Sequence, residues 1–328
     1  MPRTQWVMEP RVMKHVHRTG LRRRVAIAGV AILALTAGCA SGSGTQATPI
    51  PRNPTSSTVA GASAAGSTVA PSSPTTSGVA AAAYAPGRHV VSFVVNGGKR
   101  VAVVVVPQSQ AKPAPLVFVF HGHGGTGPNI ERKFDIESLW RAAIVVYPNG
   151  LVGHAGKTDP QGVKSGWQTE LGESGNRDLA FYDAMLATLQ AKLPVDTHRV
   201  YAIGHSNGSG FVSLLLNQRG SGITATANLS SQPSARVLAG DPTRSMFMAM
   251  GITDPIVPYA NQKRAIPLAE HKLGVDPQGG TVHGFLRSET GPHGLELDVY
   301  IYPGGHSPPA EVPKLVVQFF QRHALDAG

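Results

Sequence analysis

The sequence predicts an α/β protein: a mostly parallel, eight-stranded sheet covered by helices on both faces. Three observations carry this prediction. A hairpin signal, Asn96-Gly97-Gly98, lies between two β-rich runs. Strand-length apolar runs then alternate with segments of helical period, which is how a parallel sheet is built. Finally, the apolar run Val200–Ile203 ends in Gly204-His205-Ser206-Asn207-Gly208, with a helical pattern directly after it.

The chain divides into three stretches before any fold is considered. Residues 1–39 are basic, with seven Lys and Arg against one acid, and Val25 to Ala37 is an apolar run. That run has the length of a signal-peptide core and is too short to span a bilayer as a helix. Just beyond it lies Cys39, the only cysteine of the chain, which follows small residues as in a bacterial lipobox. The expectation is a signal peptide, starting at Met1 or at Met13, that leaves a lipidated Cys39. The protein would then be exported and held at the outer face of the cell membrane, or secreted. Residues 40–87 are Ala, Ser, Thr, Gly and Pro with almost no large apolar side chain, too little to offset the entropy of ordering. This stretch is expected to be a disordered tether, and residues 88–328 the folded domain.

Within that domain the strands are expected at His89–Val95, Lys99–Val106, Leu116–Phe120, Ala143–Tyr147, Val200–Ile203, Ile223–Leu229, Ser245–Gly251 and Leu295–Tyr302. Helical spacing marks Ile130–Arg141 and Asp178–Leu193, the latter through Leu179, Tyr182, Met185, Leu186 and Leu189. A further helix follows Ser206, and the last covers Glu311–Ala324. The formal charge of +10 is misleading about partners, because +6 belongs to residues 1–39 and only +3 to residues 88–328. A nearly neutral domain has no basic stripe for a phosphate backbone, so nucleic acid is not an expected partner.

The chemistry centres on Ser206. Gly-x-Ser-x-Gly between a strand and a helix lifts the hydroxyl clear of the sheet. A serine hydroxyl needs a base to act as a nucleophile at neutral pH, and the base needs an acid to fix its tautomer. Of the acids after Ser206, only Asp254 directly follows an apolar strand; Asp298 lies within a strand and is expected at an edge or facing solvent. Among the later histidines only His306 follows a strand through a glycine turn. The oxyanion of an acyl-transfer intermediate would meet the Asn207 amide and one from His121-Gly122-His123-Gly124-Gly125, either His123 or its neighbour Gly124. His121, His123 and His205 have no carboxylate or cysteine at ligand spacing, so no metal is expected. The reaction calls for no cofactor.

These motifs, VFHGHGG, VVYPNG, RDLAFYDAML, VYAIGHSNG, GITDPIVPY and YPGGHSPP, together resemble the secreted polyhydroxybutyrate-depolymerase and feruloyl-esterase group of α/β hydrolases, esterase family 1. The resemblance covers Arg88 to the C-terminus. It implies the α/β-hydrolase fold and the same Ser206, Asp254 and His306 triad. It also implies that Trp167 and its loop border the substrate. Gly208-Ser209-Gly210 and Pro308 depart from the group's pattern, and its cysteine pairs are absent. The expected activity is hydrolysis of carboxylic esters (hydroxyalkanoate, feruloyl or related) through an acyl-enzyme. The alternatives are a peptidase or acyltransferase on the same fold, or a non-catalytic surface scaffold. Asp178 reads as a charge at a helix N-terminus.

Overall fold

Asn96 and Gly97 both adopt positive φ, 50° and 77°, the geometry a two-residue hairpin requires. They join β1 (Gly87–Val95) to β2 (Gly98–Val106) in antiparallel register, Val95 opposite Gly98. The computed structural model describes residues 84–109, 112–153, 159–232, 235–240 and 242–325. The leader, Cys39, most of the tether and Asp241 lie outside the described residues.

After the hairpin come β3 (Ala114–Phe120), α1 (Gly127–Phe134), α2 (Ile136–Leu139) and β4 (Ile144–Pro148). The one helix expected over Ile130–Arg141 is thus two, because Asp135 turns to φ 44° and donates its amide to Glu131 O. A two-stranded ribbon, β5 (Leu151–Val152) and β6 (Ser165–Gly166), precedes α3 (Arg177–Lys192). Then come β7 (Val195–His205), α4 (Asn207–Arg219), β8 (Ala225–Leu229), α5 (Ala235–Ala239) and β9 (Ser245–Gly251). The chain ends through α6 (Tyr259–Gln262), α7 (Ala265–Leu273), β10 (Thr281–His283), β11 (Leu286–Thr290), β12 (Glu296–Tyr302) and α8 (Val312–Gln321).

The main sheet runs β1-β2-β4-β3-β7-β8-β9-β12-β11-β10. From β4 to β12 every pairing is parallel, and both edges are antiparallel. The eight expected strands are all present, and β10 and β11 extend the sheet to ten. Their pattern is weak because β10 is exposed throughout and only Glu289 of β11 is buried.

Alternation along the strands divides the core into two layers. Phe118 and Phe120 face α3 and α4 through Tyr182 and Phe211, whereas Val117 and Val119 lie with Ile130, Phe134 and Phe320 of α1 and α8. Tyr84, before β1, packs on the first layer, with Lys192 Nζ 5.0 Å from its ring centre. The parallel strands all deliver their carboxyl ends to one rim, where open α/β sheets place their ligands.

Candidate active site

Ser206 is the single residue between β7 and α4, held at φ 55°, ψ −118°. Such a conformation costs on the order of 1–3 kcal/mol and persists only where the surroundings impose it. Here the surroundings are close backbone contacts. A Cβ on Gly204 would come within 2.4 Å of Gly208 O, and one on Gly208 within 2.4 Å of Phe120 O. Both neighbours of the turn must therefore be glycine. The Ser206 amide is fastened to Leu229 O at 2.8 Å. Its side chain faces a cavity of about 330 Å³, shared with His121, Gly122, His123, Lys133 and His306.

Asp254 and His306 are 52 residues apart and meet because their turns zip together. Ile252 donates to Tyr302 O and Thr253 to Gly304 O, each at 3.0 Å. His306 Nδ1 then lies 2.8 Å from Asp254 Oδ2. The other carboxylate oxygen accepts the amides of Ile256 (2.8 Å) and Val257 (2.9 Å), and Gln262 Nε2 donates to Oδ2 at 2.8 Å. Burial works to raise the Asp254 pKa. The hydrogen bond from His306 and the two amides outweigh it and hold the carboxyl below its usual range. An ionised, fully ordered carboxylate on Nδ1 fixes the imidazole tautomer and leaves Nε2 to accept a proton. Asp254, His306 and Ser206 are thus gathered at one rim of the sheet.

The loop after β3 contributes backbone donors. Gly124 gives its amide to Ser165 O at 2.7 Å, and Gly125 to Gly122 O at 2.9 Å. Of the two expected loop donors, the Gly124 amide is therefore occupied, while the His123 amide has no partner among the described residues. The Asn207 amide opens α4, where helix N–H groups lack intrahelical acceptors. His121 orders the loop: Nδ1 donates to Gly122 O at 2.8 Å, and Nε2 accepts the Gly150 amide at 2.9 Å. Burial lowers its pKa to about 4, so the ring is neutral. His123 Nε2 lies 3.2 Å from Asp159 Oδ2, and Asp159 also accepts the amides of Val163 and Lys164. Among the described residues, no group of three or more His, Cys, Asp or Glu converges to hold a metal ion.

Trp167 is placed differently from the expectation. Its indole is 2% exposed, edge-on to Phe120 and stacked on Phe211, with Nε1 donating to His121 O at 2.9 Å. It holds the His121 carbonyl of the loop after β3 and is not among the residues that line the cavity. The Asn207 side chain reinforces that support by pairing with the Trp167 backbone, Oδ1 to N at 2.8 Å and Nδ2 to O at 3.0 Å. Asp298 is also corrected: it is buried, not solvent-facing, with Oδ2 3.0 Å from Arg322 Nη2. Asp276 caps a turn through the Gln278 amide. Asp178 does sit in the first turn of α3, yet it is buried and paired with Arg100 Nη2 at 2.8 Å. Sequence reasoning missed Lys133, Gln262 and the roles of Asp159, His205 and the Asn207 side chain. The position of Asn207 beside Ser206 was the one available signal.

The strand order, the serine turn and the paired Asp254 and His306 after later strands define the α/β-hydrolase fold. Superposition on solved structures supports it: an acetyl xylan esterase from Aspergillus awamori matches with a TM-score of 0.56 at 14% identity, over 71% of this chain and 99% of that one. An S-formylglutathione hydrolase from Agrobacterium tumefaciens matches with a TM-score of 0.54 at 13% identity, over 72% and 94%. No family model matches the sequence. Among individual proteins, "Probable feruloyl esterase C" of Aspergillus niger is 26% identical over 228 residues, 65% of this chain and 77% of that protein. "Feruloyl esterase D" of Neurospora crassa is 24% identical over 194 residues, and "Feruloyl esterase C" of Emericella nidulans 28% over 171. The chain spans 64% and 57% of the lengths of these last two.

Proposed function

We propose that this chain is an exported serine esterase acting on carboxylic esters of the hydroxyalkanoate, feruloyl or related type. One observation carries the reading: a buried, hydrogen-bonded Asp254 holds His306 at the rim where Ser206 enters the same cavity. The sequence likeness to proteins described as feruloyl esterases supports the choice of ester over peptide.

In this reading Ser206 Oγ attacks the ester carbonyl carbon while His306 Nε2 takes the hydroxyl proton. The carbonyl oxygen becomes an oxyanion that accepts hydrogen bonds from the His123 and Asn207 amides. Collapse of the intermediate breaks the bond to the alcohol, which leaves with the proton from His306. A water then gives a proton to His306 and attacks the acyl-enzyme. The acid departs, and Ser206 recovers its proton. Asp254 stays ionised throughout and stabilises the imidazolium. Lipidation at Cys39 and a tether over residues 40–87 would present the domain outside the membrane.

The test is hydrolysis of p-nitrophenyl, feruloyl and hydroxybutyrate esters by the protein and by its Ser206→Ala variant, with labelling by a serine-reactive fluorophosphonate. Ester turnover and labelling, both lost in Ser206→Ala, are expected. Turnover that survives Ser206→Ala overturns the serine mechanism. Absence of both turnover and labelling favours a non-catalytic surface role.

A further inference from the structure

The cavity beside Ser206 has an uneven charge. His121 and His205, both on its wall, are held neutral by burial, each with its pKa near 4. Asp254 is behind His306 and does not line the cavity, nor does any other carboxylate. Lys133, from the last turn of α1, is the one lining side chain with a permanent charge. Its ammonium donates to Ser307 Oγ at 3.1 Å, directly beside the His306 position, and makes no ion pair among the described residues.

The nearby acids are engaged elsewhere. Glu131 is paired with Arg88, Glu137 with Tyr147, and Asp135 with Ser138. Lys133 stays exposed at the cavity mouth, where the surrounding protein still removes enough water to lower its pKa. Ile130 and Ile256 provide apolar wall on the same cavity. An apolar chain ending in an anion would satisfy both features.

From this placement we infer that Lys133 is a specificity-determining residue which selects esters bearing a free carboxylate within reach of the reacting carbonyl. The inference rests on the esterase reading of Ser206 and deepens it by naming the substrate class. A carboxylate on the acyl side and one on the alcohol side present the same chemistry to Lys133, and the test separates them.

The acyl side is probed by mono-p-nitrophenyl glutarate against neutral p-nitrophenyl valerate. The alcohol side is probed by the butyrate ester of glycolate against propyl butyrate. Uncatalysed hydrolysis is subtracted using Ser206→Ala. In at least one pair the wild type should favour the anionic ester in kcat/KM, and Lys133→Met should lower that ratio about tenfold, the order expected of one charge pair at a screened site. Lys133→Arg should retain most of the ratio, and added salt should reduce it in the wild type. A wild-type ratio near one in both pairs, or a ratio unaltered by Lys133→Met, overturns the inference.

Binding of mono-p-nitrophenyl glutarate to Ser206→Ala and to Ser206→Ala/Lys133→Met, measured by calorimetry, keeps the two readings apart. If no ester is turned over but the Lys133→Met change still weakens this binding about tenfold, the esterase reading fails and charge recognition stands. Equal binding by the two variants overturns Lys133 selectivity whether or not esters are cleaved.

Discussion

His205 Nε2 donates to the carbonyl oxygen of His306 at 3.0 Å, so the residue before Ser206 holds the turn that carries the proposed base. Burial keeps the His205 ring neutral, which leaves its Nδ1 unprotonated and its single proton on that bond. A neutral hydrogen bond of about 1 kcal/mol is at stake, roughly fivefold in a rate constant. His205→Phe should therefore lower kcat by about five- to tenfold with KM little changed. Steady-state kinetics read this directly, and an unchanged kcat would show that the turn positions itself.

The same burial makes stability depend on pH. His121 and His205 titrate near 4 in the fold, against about 6.5 in an unfolded chain. Between those values the unfolded chain binds protons that the folded one does not. Stability should fall as pH drops from about 6.5 toward 4, by up to about 1.4 kcal/mol per pH unit for each group, and this contribution should level off below 4. Asp254 acts at lower pH, because its stabilisation is complete above the ordinary carboxylate range and is lost as pH falls through its depressed value. Urea denaturation at pH 7, 6 and 5 should give a smaller slope for His205→Gln than for the wild type; equal slopes would mean the ring does not titrate as placed.

The choice of acid is open to a direct comparison. Ser206→Ala and His306→Ala should each remove nearly all turnover, because nucleophile and base act as a unit. Asp254→Asn should cost about 10⁴-fold, by leaving the imidazole in the wrong tautomer. Asp298→Asn, on β12, weakens a contact with Arg322 at the end of α8 and should cost less than about tenfold in turnover, as should Asp241→Asn and Asp276→Asn. Kinetics on the four Asn variants, with folding checked by circular dichroism, decide the matter. Collapse of activity in Asp298→Asn with Asp254→Asn near wild type would move the acid to β12.

Trp167 and Asn207 should behave as supports of the loop proposed to bind the oxyanion. Trp167→Phe keeps an aromatic ring between Phe120 and Phe211 and removes the bond to His121 O, a loss of about 1–2 kcal/mol in stability. Turnover should drop by a common factor across a panel of acyl groups. A changed order of preference among the acyl groups would return Trp167 to the substrate border.

Anchoring is tested on the full chain. Cys39→Ala should release the protein from membranes or leave it unprocessed, with ester hydrolysis unaltered. Protease should cut residues 40–87 at many points and leave a compact remainder. Wild-type membrane association in Cys39→Ala would reject lipidation, and protection of residues 40–87 would place them in the folded unit.

Much of this was legible in the sequence because it depends on short-range chemistry. Asn96-Gly97 specifies a tight hairpin since few residues tolerate two successive positive φ values. Gly204 and Gly208 mark the serine turn since no side chain fits there. Asp254 stood out because it directly follows an apolar run, and His306 because a glycine turn joins it to the end of a strand. The edge strands β10 and β11 were not legible, because an exposed strand lacks the apolar pattern that burial imposes.

What only the tertiary structure decided are the pairings between distant segments. Nothing local tells Trp167 that its indole will be enclosed by Phe120 and Phe211, or Asp298 that Arg322 will reach it. Asp178 looks like a helix-end charge until β2 brings Arg100 within 2.8 Å of it. Lys133 is one basic residue among many until α1 sets its ammonium beside Ser307, at a cavity with no carboxylate on its wall. Turns and strands follow from steric limits within a few residues. Burial and the charge left uncompensated in a cavity follow from which strands become neighbours.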